Sequence, residues 1–288
     1  MKFNTALKLS IGASVALAVG IPIVNRTSAD SIPSLVAGQG NIPRTDVVDV
    51  ASYQANLSVA DFQNMKKAGV KGVIVKLTEG TTYKNPYAAT QIANARTAGL
   101  VVGAYHYSHF TSDSGAKAEA NYFADAANSF GLGGSTYMAD DLEDSSTKAG
   151  SVQNNAMSFA NQLKSRGYSR PMLYTYQSYV EQTGLNPSAF GDANIWIASY
   201  PYAPSADANW YPQYGMWQFN SNTHFPGASG GFDVSIDNKG VVGGNVITDV
   251  KDVMKVATFG QSGRNDGYLY GGTLGCFRGL QMAGCRAI

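Results

Sequence analysis

The sequence predicts an α/β fold, an irregular TIM-like (β/α) barrel of about eight strands with incomplete helices in its C-terminal half. Three observations carry this. Short β-branched or aromatic runs alternate with helical patterns through the first half of the chain, the mark of parallel βαβ units. About eight such runs fall within ~200 residues, near the lower end of the size range of a closed barrel. No Gly-rich nucleotide turn follows the first run, where "DVASYQANLS" stands, so a doubly wound open sheet is the weaker alternative.

The strand-like runs are, in order, "VVDVASY", "GVIVKLTE", "LVVGAYHYS", "TYMADDLE", "PMLYTY", "NIWIASY", "YGMWQFNS" and "FDVSID". Most are apolar enough to be buried on both faces. Between the early ones lie four helical patterns. "SVADFQNMKKAG" opens on Ser58 with Asp61 three residues on, a variant of the capping box, and stops at Gly69. "NPYAATQIANARTAG" stops at Gly99, and "GAKAEANYFADAANSFG" is rich in alanine. "SVQNNAMSFANQLKSRG" sets Ala156, Phe159, Ala160 and Leu163 on one stripe and stops at Gly167. The later strands are joined by connections too short for full helices.

The ends of the chain read differently. Lys2 and Lys8 precede "LSIGASVALAVGIPIV", and small residues lead to a cut after Ala29, the pattern of a secretory signal peptide over residues 1–29. That apolar run is shorter than the ~20 residues of a membrane span, and Gly and Pro interrupt it. A secreted protein, extracellular or associated with a cell wall, with no stable membrane insertion after cleavage, is therefore expected. Residues 30–43 read as a linker, 44–243 as the barrel, and 244–288 as a tail without a clear repeat. Cys276 and Cys285 both fall in that tail, so the barrel has no disulfide framework and no thiol nucleophile. The two could pair in an oxidising compartment, or be incidental.

Composition narrows the chemistry further. A net charge of +1 gives no general pull toward nucleic acid or lipid, and a monomer is expected. His106, His109 and His224 form no metal-ligand spacing and no nucleophile elbow. His106 and His109, in "AYHYSHF", read as hydrogen-bonded strand-end residues. No metal and no cofactor is expected, and carboxylate chemistry is what is left.

Carboxylates cluster in "YMADDLEDSS". Asp141 and Glu143 stand two apart at a strand end, so they share one face with Cα atoms ~6.5 Å apart. Asp140 and Asp144 point the other way or belong to the loop. Active residues of a barrel lie at the C-terminal ends of strands. Asp49 in "VVDVASY" and Asp237 in "FDVSIDN" are further strand-end acids, and closure of the barrel makes their strands neighbours at one mouth. Such a set suits glycosidic bond cleavage, in which an acid protonates the leaving oxygen while negative charge stabilises an oxocarbenium-like centre. Glu143 has the longer reach and is assigned as the acid. Asp141 stabilises the cation or orients a substituent of the sugar, while Asp49 and Asp237 balance charge and position substrate or water. Tyr105, Tyr107, Tyr174, Trp196, Tyr200 and Trp217 each fall at a strand end and are candidate sugar platforms; as core residues they would need no explanation.

At these residues the sequence resembles the glycoside hydrolase family 25 lysozymes, the Chalaropsis-type muramidases. The resemblance covers about residues 44 to 240 and rests on "DVVDVASYQ", "VKLTEGTTYKNP", "VGAYHYSHF", the Asp-x-Glu of "DLE", "PMLYTY", "IWIASY", "MWQFNS" and "DVSID". It implies an irregular (β/α) barrel that cleaves the β-1,4 bond between N-acetylmuramic acid and N-acetylglucosamine in bacterial peptidoglycan. It maps the catalytic Glu onto Glu143, its partner onto Asp141, and the acids of the first and last strands onto Asp49 and Asp237. It also brings in attack by the substrate's own 2-acetamido group, steered by Asp141. A family 18 chitinase also ends a strand with Asp-x-Glu, but its pattern needs an Asp where Ala139 stands. A silent glycan-binding module that keeps the cleft is the remaining alternative.

Overall fold

The computed structural model describes residues 32–242. The expected signal peptide and the tail with its two cysteines lie outside the described residues. Eight strands close into a barrel: β2 (Val47–Val50), β3 (Gly72–Glu79), β5 (Val101–Tyr107), β6 (Tyr137–Asp141), β7 (Arg170–Tyr176), β8 (Ile195–Ala198), β9 (Met216–His224) and β10 (Phe232–Asp237). Two short strands lie outside the ring. β1 (Leu35–Val36) pairs with β9, and β4 (Tyr83–Lys84) pairs with β3. Each of the eight runs expected from the sequence supplies one barrel strand. Closure leaves no open edge in the ring.

Seven barrel strands run parallel, and β10 alone is antiparallel to both of its neighbours, β9 and β2. Helices follow the first five: α1 (Val59–Lys67), α2 (Ala88–Thr97), α3 (Asp113–Ser129), α4 (Val152–Ser165) and α5 (Gln177–Thr183). Helix α5 is an addition to the four patterns read from the sequence; at seven residues it is too short to show a period. Beyond it, β8, β9 and β10 are joined without α-helices, as expected.

Local chemistry explains the boundaries. The capping box of α1 forms, with the Asp61 amide donating to Ser58 Oγ and the Ser58 amide to Asp61 Oδ2 at 2.8 Å. Gly99 and Gly167, just past the C-termini of α2 and α4, take φ of 76° and 89°, where a Cβ would be strained. The stripe of α4 (Ala156, Phe159, Ala160 and Leu163) is buried against the sheet.

The pleat sorts side chains into two cores. Val48, Val50, Val73, Val75 and Leu77 face outward into the layer under the helices. Val47, Ile74, Ala139, Met172 and Met216 face inward and fill the lower barrel, with Val241 and Val242 closing its floor. The segment expected as a linker is partly built onto this barrel. The Ala37 amide donates to the His224 carbonyl at 2.8 Å, and Asn220 Nδ2 to the Pro33 carbonyl at 2.9 Å. Two residues of strand in a Gly- and Pro-containing stretch carry no period that a sequence could show.

Candidate active site

The strand ends set the site. Along β6 and just past it, side chains alternate. Ala139 and Asp141 face into the barrel, Asp140 and Leu142 face the helix layer, and Glu143 turns inward again. The backbone keeps its extended course beyond Asp141 because the Leu142 amide donates to the Tyr174 carbonyl, and Thr175 Oγ1 donates to the Leu142 carbonyl. Asp141 and Glu143 therefore open on one pocket of about 210 Å³, together with Asp49, Asp233, Tyr105 and Tyr174. Trp196, Tyr200 and Gln218 complete its wall. A wider groove of about 480 Å³ shares its acids and runs outward past Tyr53, Lys76, Glu79, Tyr107, His109 and Asp144.

Asp237 is not among these residues, and its expected place is corrected. Because β10 runs antiparallel, its C-terminal end lies at the floor of the barrel. There Asp237 is paired with Met216, the first residue of β9. Its carboxylate accepts the amides of Val241 and Val242 at 2.7 and 2.9 Å and so folds the chain across the floor. The last-strand acid at the mouth is Asp233, paired directly with Asp49. The two lie four apart on the same face of β10, so "FDVSID" held both candidates, and only strand direction separates them.

Trp217 is also corrected. Met216 and Gln218 face inward, so the pleat turns Trp217 outward, where it is fully buried, stacks on Trp210 with ring centroids 5.8 Å apart, and donates Nε1 to the Ser199 carbonyl. Tyr105, Tyr174, Trp196 and Tyr200 do line the pocket, and Tyr107 lines the groove. Tyr174 meets Trp196 edge to face at 4.6 Å, and Trp196 Nε1 donates to Ser235 Oγ.

Two residues that the sequence reading passed over organise the pocket. Gln218 Oε1 accepts the hydroxyls of Tyr174 and Tyr200 at 2.8 and 2.6 Å, which fixes the amide so that Nε2 donates to Asp49 Oδ2 at 2.8 Å. Lys76, inward on β3, pairs with Glu79 Oε2 at 2.6 Å and lies 4.8 Å from the centre of the Tyr107 ring. It places positive charge beside the acids.

The electrostatics follow from burial and crowding. Burial, then the Asp233 charge, pushes the Asp49 carboxyl well above the usual range. Burial and the Glu143 charge do the same for Asp141. Glu143 is raised by burial, an effect that Lys76 opposes and Asp144 reinforces. Burial pushes Asp233 up to about 7. Four carboxyls in one pocket disfavour one another's ionisation, which favours the retention of protons. Asp141 Oδ1 is buried with no hydrogen-bond partner among the described residues.

Asp140 faces the helix layer, where it hydrogen-bonds Ser108 Oγ, and burial pushes its carboxyl up to about 8. His106 is buried between Thr78 Oγ1 and Glu119 Oε2, and His109 reaches Glu79 Oε1 at 3.0 Å. Both are thus hydrogen-bonded strand-end residues as expected. Asp144 belongs to the loop, capping the turn at Ser146 and accepting from the Tyr107 hydroxyl. Among the described residues, no group of three or more His, Cys, Asp or Glu is arranged to hold a metal ion.

A barrel whose C-terminal mouth gathers four carboxyls among tyrosines and a tryptophan has the make-up of a glycoside hydrolase. Residues 48–228 match the family model described as "Glycosyl hydrolases family 25", and the chain belongs to that family. It is 31% identical over 204 residues to the N,O-diacetylmuramidase of Chalaropsis sp, an alignment spanning 66% of this chain and 94% of that protein. It is 30% identical over 205 residues to the autolytic lysozyme of Clostridium acetobutylicum, spanning 70% of this chain and 59% of that protein. Among solved structures, the muramidase from Trichobolus zukalii superposes with a TM-score of 0.52 at 26% identity, covering 69% of this chain and 98% of that one. The bacterial lysozyme from Streptomyces coelicolor shares the fold, with a TM-score of 0.54 at 23% identity over 71% and 98% of the two chains.

Proposed function

We propose that this chain is a peptidoglycan hydrolase, an N-acetylmuramidase cleaving the β-1,4 bond between N-acetylmuramic acid and N-acetylglucosamine. The observation that carries the reading is the convergence of Glu143, Asp141, Asp49 and Asp233 on one pocket at the barrel mouth, in a member of glycosyl hydrolase family 25. Muramidases and lysozymes among its relatives support the substrate class.

Glu143 holds the proton to be delivered. Its carboxyl is raised by burial, and it lies where pocket and groove meet, within reach of a bridging oxygen. Proton transfer to that oxygen releases the leaving sugar as positive charge grows at the anomeric carbon. Asp141 answers that charge. Its carboxylate lines the pocket and can accept the N–H of a 2-acetamido group, which steers the acetamido oxygen toward the anomeric carbon, the attack that the family resemblance brings in. Asp49, held by Gln218, and Asp233 keep the proton count of the pocket and orient substrate or water. Tyr105, Tyr174, Trp196 and Tyr200 offer rings to the sugar's apolar face, and the tyrosine hydroxyl oxygens can accept from its edges. The protein acts after export, on cell wall, as a monomer. Among the described residues no helix is long and apolar enough to cross a membrane.

Clearing of a peptidoglycan suspension, with the new reducing sugar identified by mass spectrometry, tests the reading. Wild-type protein is expected to release muramic acid at the reducing end. Glu143→Gln should be slower by about 10²–10⁴-fold, the usual range for removing a general acid. Glucosamine at the new end, or equal clearing by both proteins, overturns it.

A further inference from the structure

Tyr53 is 94% exposed, far more than Tyr202 at 67% or Tyr87 at 39%, the other large exposed apolar side chains of the described residues. A ring so fully in water makes almost no packing contribution to the fold, so the fold does not explain its place. That place is the rim of the groove that begins at Glu143 and Asp141.

The turn that carries Tyr53 is held from beneath. It is a single 3-10 turn, Ser52–Gln54, directly after β2, closed by the Ala51 amide donating to Gln54 Oε1 at 2.9 Å. Gln91 of α2, fully buried, donates Nε2 to the carbonyls of both Ala51 and Gln54, at 2.8 and 3.0 Å. Gln91 Oε1 in turn accepts from Asn85 Nδ2, which also donates to the carbonyl of Lys76. Two buried amides therefore tie the turn to α2 and to β3. Buried polar side chains are costly unless satisfied, and here both are spent on fixing a surface turn whose one large side chain points into solvent. A turn whose backbone is fixed in advance spares a ligand at the groove rim the cost of ordering it.

We propose that Tyr53 is a stacking platform for a pyranose ring of the glycan strand, at a subsite outside the bond-cleaving pocket; this deepens the muramidase reading and rests on it. The chemistry of the groove favours a sugar there. A pyranose presents a face of C–H groups to an aromatic ring and a rim of hydroxyls to polar neighbours, and Gln54, Glu79 and Asp144 line the same groove. Tyr53 enters as a binding residue, not a catalytic one.

The test uses glycan strands freed of stem peptides, in two lengths: a disaccharide, the shortest piece that carries the scissile linkage, and a strand of about eight sugars. Their affinity is measured by calorimetry on the Glu143→Gln protein, with and without Tyr53→Ala. The long strand is expected to bind about three- to tenfold more weakly to Tyr53→Ala, the disaccharide equally to both, and Tyr53→Trp should restore the loss. In the otherwise native enzyme, Tyr53→Ala should raise KM on long strands with little change in kcat. The thermal midpoint should not move, since the ring is outside the core. Equal affinity of long strands for both proteins overturns the inference. If the wild type turns over and Tyr53→Ala matches it in KM, the subsite alone fails; if the wild type releases no reducing ends, the muramidase reading fails.

Discussion

Asp233 and Asp237 lie on one face of one strand at opposite ends of the barrel, so exchanging each for Asn separates the site from the scaffold. Asp237→Asn strikes the floor. Its carboxylate accepts two backbone amides at 2.7 and 2.9 Å. Asn keeps one acceptor oxygen and turns an NH2 toward the second amide, leaving a buried donor unpaired. A lost charge-assisted bond and an unpaired donor together cost about 2–4 kcal/mol. For a domain of this size each kcal/mol moves the midpoint by about 2–4 °C, so a fall of about 5–15 °C is expected by circular dichroism. Reducing-end release at 25 °C should stay within about twofold of wild type.

Asp233→Asn should do the reverse. The Asp233 carboxyl is raised from 3.8 to about 7, so between those values the folded chain keeps a proton that the unfolded chain gives up, and stability falls as pH rises. Removing the group should leave the variant at pH 7.5 as stable as wild type or more so, by about 1–2 kcal/mol after allowance for solvent at the mouth. Its kcat/KM should drop by at least about tenfold. Loss of activity at an unchanged midpoint in Asp237→Asn would refute the assignment of the two acids.

Two pH dependences follow from the same electrostatics. Glu143 must be protonated to act, so kcat/KM should fall as pH rises through its raised pKa; Lys76→Met should move that limb to higher pH and Asp144→Asn to lower pH, because the first charge lowers and the second raises the Glu143 pKa. A limb that moves in neither variant would remove Glu143 as the titrating acid. Asp140, pushed up to about 8 by burial, loses the folded state stability as pH rises from its unfolded value toward 8. Asp140→Asn should therefore lose less stability than wild type between pH 5 and pH 8, by at least ~1.5 kcal/mol in urea titrations, allowing for relaxation around the charge. Parallel pH curves for the two proteins would show that Asp140 ionises at its ordinary value.

Much of the architecture was legible because it rests on local periods. Eight strand-like runs became eight barrel strands, and the Ser58–Asp61 box and the stripe on α4 formed where their residue types required. The facing of Asp141 and Glu143 was legible too, since a pleat of period two puts residues two apart on one side. The same pleat misleads when its phase is unknown. Trp217 and Gln218 are neighbours on β9, and nothing local says which of them faces the pocket.

By itself, then, the sequence determined the fold class, the family and the strand ends that carry acids, because alternation, capping and residue type are properties of adjacent residues. The tertiary structure decided the rest. It put Asp233 rather than Asp237 beside Asp49, because the direction of a strand is set by its hydrogen-bonded neighbours and not by its own residues. It also brought Gln218 and Lys76 to the acids from separate strands, a meeting that depends on how the strands are arranged around the ring.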